Sequence, residues 1–131
     1  MKVDLFTLCE GAYNTNGRLT IVNTFEDIIS NQYPWRGQLG MALKIFVSRE
    51  DAGEHDMKVS IESGAGNQKL HEMNAHLSFP TGEKANDIHV AMATNIQGLL
   101  IQTPGEYKVV IVVDGSELYS FPFKSLLLHA K

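Results

Sequence analysis

One short segment of this sequence combines residue types that are common at binding sites. Tyr33-Pro34-Trp35-Arg36 contains the only tryptophan of the 131 residues, between a tyrosine and an arginine. These residue types are enriched at interface hot spots, and planar rings also stack on sugars. The segment predicts either a small-ligand or glycan-binding loop that uses Tyr33, Trp35 and Arg36, or a hydrophobic plug in which Trp35 covers one end of the fold. We favour the plug, because large aromatic side chains are on average well buried.

The histidines do not have the spacing of a metal site. His71-Glu72 and His76 are similar to the helical zinc-protease motif, but that motif needs two histidines four residues apart. The separation here is five, in a segment that has the pattern of a strand. Odd spacing in a strand sends two side chains to opposite faces of the sheet. The other histidines are scattered along the chain, and we expect them on the surface: His55, His89 and His129.

The densest group of acidic residues consists of Glu50, Asp51, Glu54 and Asp56. Carboxylates on a loop can bind calcium, but the Asp-x-Asp/Asn-x-Asp/Asn-Gly pattern of a calcium loop does not occur. A solvated turn flanked by Arg49 and Lys58 is expected instead. The sequence therefore predicts no metal and no cofactor.

Cys9 is the only cysteine, so no intramolecular disulfide can form. A cysteine nucleophile needs a lowered pKa close to positive charge, whereas Cys9 alternates with Leu5 and Thr7 in a strand pattern. Free cysteine is among the most buried residue types, and we predict a core position. Neither a nucleophile elbow nor a phosphate-binding or dinucleotide-binding glycine motif occurs, so we expect no enzyme.

The elements that must position these residues are strands. Apolar residues alternate with others over three segments: Leu39, Met41, Leu43, Ile45 and Val47; Met57, Val59 and Ile61; and Ile88, Val90, Met92 and Ile96. Asn16-Gly17 is a hairpin signal between residues 2–12 and 18–25, and Asp114-Gly115 is another between residues 107–113 and 117–124. With 44% hydrophobic residues and no linker, the chain is predicted to be a single domain of residues 1–131.

The pattern predicts an all-β fold, a two-sheet antiparallel β-sandwich of about eight strands. Gly105-Glu106-Tyr107 opens a strand after a turn, as in the tyrosine corner of immunoglobulin-like sandwiches, where the hydroxyl bonds back across the corner. An immunoglobulin-like type is therefore expected, with a jelly roll as the alternative. Pro122 has no N–H to donate, so we expect the last strand to lie at an edge there.

A series of short motifs runs in a definite order along nearly the whole chain. The motifs are Asp4-Leu5-Phe6, Leu8-Cys9-Glu10, Asn16-Gly17-Arg18-Leu19-Thr20-Ile21, Tyr33-Pro34-Trp35, Gly53-Glu54-His55, Pro104-Gly105-Glu106-Tyr107, Asp114-Gly115 and Phe121-Pro122-Phe123. Their order resembles a family of short bacterial proteins described only as a domain of unknown function. The resemblance implies a cytoplasmic β-sandwich with no assigned activity, and it supplies no catalytic residues.

Composition narrows the classes of partner. The net charge of -4 gives no basic face for nucleic acid, and no apolar run approaches the roughly 20 residues of a membrane-spanning helix. The charges of Asp4 and Glu10 interrupt a secretory signal, which with the lone cysteine favours the cytoplasm. Residues 109–113 are all apolar, so one face of that strand needs a cover, either the leucines of residues 126–128 or a second subunit. We therefore expect a non-catalytic protein that acts by association with itself or with another protein.

Overall fold

The computed structural model describes residues 1–128. These residues form nine strands and two single turns of 3-10 helix at residues 49–51 and 82–84. The strands are Lys2–Thr15 (β1), Arg18–Phe25 (β2), Ile28–Ser30 (β3), Trp35–Val47 (β4), Gly53–Ser63 (β5), Lys69–Phe79 (β6), Ile88–Ile101 (β7), Gly105–Val113 (β8) and Ser116–Leu127 (β9). Among the described residues, no helix is long and apolar enough to cross a membrane.

The strands form two packed sheets, which confirms the predicted all-β sandwich. One sheet has the order β2-β1-β4-β7 and the other has the order β3-β9-β8-β5-β6. Every pairing is antiparallel except the short one between β3 and β9. The strand that the sequence did not predict is β3, since three residues are too few to show a period.

The alternating apolar residues face the space between the sheets. On β4, the alternate residues from Leu39 to Val47 are each at most 6% exposed, while Lys44 faces solvent. On β8, Val109 and Ile111 are fully buried and lie opposite them. Because the side-chain period of a strand is two, this register holds one apolar set in the core along the whole length of the strand.

Both predicted two-residue hairpins are present. Asn16 and Gly17 have φ of 52° and 81°, and Asp114 and Gly115 have φ of 50° and 83°. Positive φ at both positions is what a primed turn requires, and Asn, Asp and Gly tolerate it. Tyr107 also forms the expected corner, because its hydroxyl donates to the Thr103 carbonyl at 2.6 Å.

The hairpin of β1 and β2 extends past the paired part of β4 and packs on the outer face of its own sheet, where Ala12 clusters with Ala42 of β4 and Ala93 of β7. The β1–β4 pairing ends at Cys9 and Gly40, and residues 10–25, which we call the β1–β2 arm, continue beyond it. A Cβ on Gly40 would lie 2.9 Å from the Cys9 sulfur, so only glycine allows this close crossing. The Asn95 side chain fixes the arm, since its amide donates to the Ala12 carbonyl and accepts from the Ala12 N–H, both at 2.9 Å.

The second sheet departs from expectation at one place. The leucines of residues 126–128 do not cover the outer face of β8, because Leu126 and Leu127 extend β9 and pair with β3. Val110 is nevertheless only 7% exposed, between its register partners Ser60 and Ser120. The predicted edge at Pro122 is confirmed, since β3 reaches only the residues from Ser125 onward.

Candidate functional site: a methionine-lined cleft

A cleft of about 260 Å³ opens between the two sheets along one side of the sandwich. Its mouth lies between β6, the last strand of one sheet, and β7, the last strand of the other. We call it the methionine cleft. Its walls are apolar residues of both sheets, including Phe6, Leu43 and Ile111, and its rim includes Asn74, Ala75 and Thr94.

Four of the five methionines line this cleft, each on a different strand: Met41, Met57, Met73 and Met92. The unbranched thioether side chain is flexible and polarizable, so methionine-lined surfaces adapt to apolar groups of different shape. The Thr94 hydroxyl donates to the Met73 sulfur at 3.7 Å, and this contact joins the two rims.

The two rim strands differ in how their free edges are protected. Each has only one neighbour among the described residues, β5 for β6 and β4 for β7. Natural edge strands are commonly protected by charged side chains or proline. The β6 strand carries Lys69 and Glu72, whereas the fourteen residues of β7 include no Asp, Glu, Lys, Arg or Pro. Because neither a charged residue nor a proline protects it, the free edge of β7 can pair with another strand. The one hydrogen bond from a side chain of the β1–β2 arm to the backbone of β7 among the described residues runs from the Asn14 amide to the Ala91 carbonyl.

The sequence-predicted loop lies elsewhere, and its side chains bind within the chain. The Tyr33 hydroxyl lies 2.5 Å from the Ser125 hydroxyl and donates to the Leu126 carbonyl at 3.1 Å. Trp35 is half-buried against the core, and its ring lies over Gly37, where a Cβ would be 2.5 Å from it. Arg36 is exposed and donates to the Gly98 carbonyl at 3.2 Å. All these contacts lie within the chain, and both the plug and the binding loop stay predictions.

The structure places two histidines among oxygen acceptors at the end of the sandwich that contains the β8–β9 turn. His55 lies 2.6 Å from the Asp114 carboxylate through Nδ1 and 2.6 Å from the Asp51 carbonyl through Nε2. A neutral imidazole donates only one hydrogen bond, so two acceptors require the protonated ring. Accordingly, the Asp114 carboxylate and then the Asp51 carbonyl raise the pKa of His55.

His76 is held in the same way on the outer face of β6. Its Nδ1 is 3.0 Å from Asp56 and its Nε2 is 2.7 Å from Glu54, and these two carboxylates raise the pKa of His76. As predicted, His71 takes the other face of β6, because it pairs with the buried Ile61. The sequence did not show this cluster, because a symmetric loop of residues 63–67 would align Asp56 with Asn74. The irregularity between Ile61 and Glu62 shifts the register so that Asp56 pairs with His76.

The remaining candidates are structural. Cys9 is fully buried, as predicted, and burial raises the pKa of its thiol. Asp51 accepts from Ser48 and from the amine of Met1. Within residues 1–128, no three His, Cys, Asp or Glu side chains are arranged to hold a metal ion. His89 is exposed, and His129 lies outside the described residues.

Comparison with known proteins places the chain in one family. Residues 4–124 match the model of the family of unknown function DUF6941, and the chain therefore belongs to that family. No curated protein matches the sequence. The resemblance that the sequence motifs indicated is thus confirmed at the level of the family, which has no assigned activity.

Proposed function

We propose that the protein is a non-catalytic binding module whose site is the methionine cleft, and that it acts by association with a protein. The observation that carries the proposal is the position of the cleft, between β6 and the uncharged edge of β7. An apolar side chain of a partner fits a methionine-lined wall, and an extended segment of it fits a free strand edge. A protein is a better partner than nucleic acid for a chain of net charge -4.

The absence of catalysis is part of this proposal. A general base needs a nitrogen or carboxylate that is free to take a proton from a substrate. Both ring nitrogens of His55 and of His76 already contact oxygen acceptors. The Cys9 thiol is buried on a strand with a raised pKa, which is the reverse of an activated nucleophile.

An immunoglobulin-like type and a cytoplasmic location belong to the proposal as well. Two observations support the immunoglobulin-like type: the sheet order β1-β4-β7 opposite β9-β8-β5, and the corner Tyr107 on the strand that begins after the crossover from β7. A jelly roll does not explain that corner. The single buried thiol is compatible with a reducing compartment.

Methyl NMR of the methionines tests the cleft directly. At about 20 µM protein, where a weak self-association contributes little, indole is titrated as an apolar probe. We expect the methyl signals of the four cleft methionines to move and that of Met1 to stay. The variant Ala75→Phe fills the mouth and is expected to abolish the shifts. If indole changes the chemical shift of none of the four methyl groups, the proposal is overturned.

The alternative function, a small-ligand or glycan-binding loop of Tyr33, Trp35 and Arg36, stays a prediction. Its support is that Arg36 is exposed at the rim of the loop, beside the half-buried Trp35. The intramolecular hydrogen bonds of Tyr33 and Arg36 favour the cleft as the site.

A further inference from the structure

We infer that the partner that covers the methionine cleft is a second copy of this chain, placed about a two-fold axis that crosses the middle of the mouth from β6 to β7. This inference rests on the proposed function, because it names the partner of that same site. In the resulting dimer, the β7 edges of both copies lie side by side and each copy closes the cleft of the other.

The first argument is the direction of the two rim strands. Phe79 and Ile88 pack in the same apolar cluster, and Met73 contacts Thr94, so β6 and β7 run antiparallel along the mouth. One end of the mouth therefore joins the end of β6 to the start of β7. The other end joins the start of β6 to the region of Gly98, where β7 bulges with φ of 69°.

The second argument is that the charges at these two ends are of opposite sign. Beside the start of β6, Lys58 and Lys69 share the single carboxylate of Glu72 at 3.1 and 3.3 Å. Arg36, bonded to Gly98, adds positive charge at the same end of β7. We call this the basic end of the mouth.

At the other end, acidic groups outnumber basic ones. Glu54 and Asp56 share the single imidazole of His76. Asp87 precedes β7 directly, with its carboxylate on the Arg49 N–H, and Asp4 lies 3.6 Å from His89 and 3.8 Å from the Lys2 amine. We call this the acidic end. The middle of the mouth, at Asn74, Ala75 and Thr94, is uncharged.

This distribution is self-complementary under a two-fold rotation. About an axis that crosses the mouth from β6 to β7, each rim strand meets the same strand of the second copy with its ends exchanged. The basic end of one copy then faces the acidic end of the other, at both places. Opposite charges at an interface fix its orientation and register more than they raise its affinity. An unrelated partner has no reason to match this arrangement, whereas a second copy matches it by symmetry.

Cysteine cross-linking at the axis tests the inference. In the Cys9→Ser background, Ala75→Cys places an exposed thiol at the middle of the mouth, where the axis brings it close to its own copy. Ser120→Cys places one on the exposed outer face of β9 as the matched control. We expect the thiol at position 75 to form a disulfide-linked dimer at least tenfold faster than the thiol at position 120.

Light scattering of the unmodified chain supplies the second measurement. We expect a mass near twice 14.5 kDa at high concentration. Thr94→Lys, a charge at the mouth, is expected to return the mass to that of the monomer with an unchanged far-UV spectrum; should this variant not fold, Ala75→Lys makes the same test from β6.

A constant monomer mass up to about 500 µM would overturn the inference. Equal cross-linking at positions 75 and 120 would also overturn it, because a dimer would then use another face or none. If the methionine methyl signals still respond to indole in that case, the cleft remains a binding site for a different protein. If they do not respond, the proposed function fails as well.

Discussion

At the scale of single residues, His55 makes the fold sensitive to pH. Its folded-state pKa is raised from 6.5, chiefly by Asp114, so the protonated ring stabilises the fold. This contribution is complete below about pH 6.5 and is lost as the pH rises through the raised folded-state pKa. Asp114 has a lowered pKa, because the Asp56 N–H and then His55 bond to it. Its contribution is complete above its ordinary value of 3.8 and is lost in acid.

We predict that the urea midpoint of unfolding falls as the pH is raised from 6.5 to 8.5, and that His55→Gln removes most of this dependence. Gln keeps one donor but carries no charge. The Asp114 side chain is half-exposed, so solvent screens the pair and the effect is expected to be small. Asp114→Asn serves as the second arm of a double-mutant cycle, since Asn also tolerates the positive φ of that turn. An unaltered pH dependence in both variants would show that the ion pair contributes nothing to stability.

Tyr33 holds the aromatic loop against β9. Its hydroxyl is the partner of Ser125, which is fully buried. We predict that Tyr33→Phe lowers the free energy of unfolding by about 1–2 kcal/mol, because a buried hydroxyl then loses its hydrogen bond. Tyr13→Phe is the control, since Tyr13 is 53% exposed.

Fluorescence of the single tryptophan separates the plug from a binding loop. A plug gives the emission of a shielded indole that a panel of sugars leaves unchanged. A sugar that quenches or shifts the emission would instead favour the glycan-binding alternative.

At the scale of elements, local chemistry predicted most of what the structure shows. The alternation on β4 and the positive φ of Asn16-Gly17 and Asp114-Gly115 depend on neighbouring residues only, and these elements were predicted. The short β3 and the folding of the β1–β2 arm over β4 depend on contacts between distant residues. Asn95 and Ala12 are 83 positions apart, and no period in the sequence marks their contact.

The arm offers a prediction of its own, because it covers Cys9. We predict that Asn95→Ala, which removes both hydrogen bonds to Ala12, makes the Cys9 thiol react with an aromatic disulfide reagent at least tenfold faster. In the unmodified chain the thiol is fully buried, and its raised pKa further slows the reaction. The control is Asn14→Ala, which breaks two exposed hydrogen bonds, to the Ala91 carbonyl and from the Gly17 N–H, but leaves both bonds between Asn95 and Ala12 in place. Equal rates in Asn95→Ala and the unmodified chain would mean that packing alone holds the arm.

The candidate site likewise depends partly on neighbouring residues and partly on contacts between distant ones. The alternation placed Met41, Met57 and Met92 on core faces, which is correct. It did not show that their strands meet at the open side of the sandwich, because that depends on the order of strands in both sheets. The aromatic loop stands out in the sequence by its residue types, whereas the cleft is defined by the order of the strands.

At the scale of the whole molecule, the opposite charges of the two ends of the mouth lead to a last prediction. Lys69→Glu replaces a positive charge at the basic end by a negative one, and we expect it to weaken the dimer about three- to tenfold, because the new charge meets the acidic end of the second copy. Glu54→Lys places a positive charge at the acidic end and is expected to weaken the dimer similarly. The double variant exchanges these two charges, so opposite charges again meet across the axis and its dissociation constant should return towards that of the unmodified chain. Sedimentation equilibrium gives the dissociation constants of the unmodified chain, the two single variants and the double variant. A salt concentration of about 50 mM keeps the screening of these charges weak. Additive weakening in the double variant would show that these charges do not face each other across a two-fold axis.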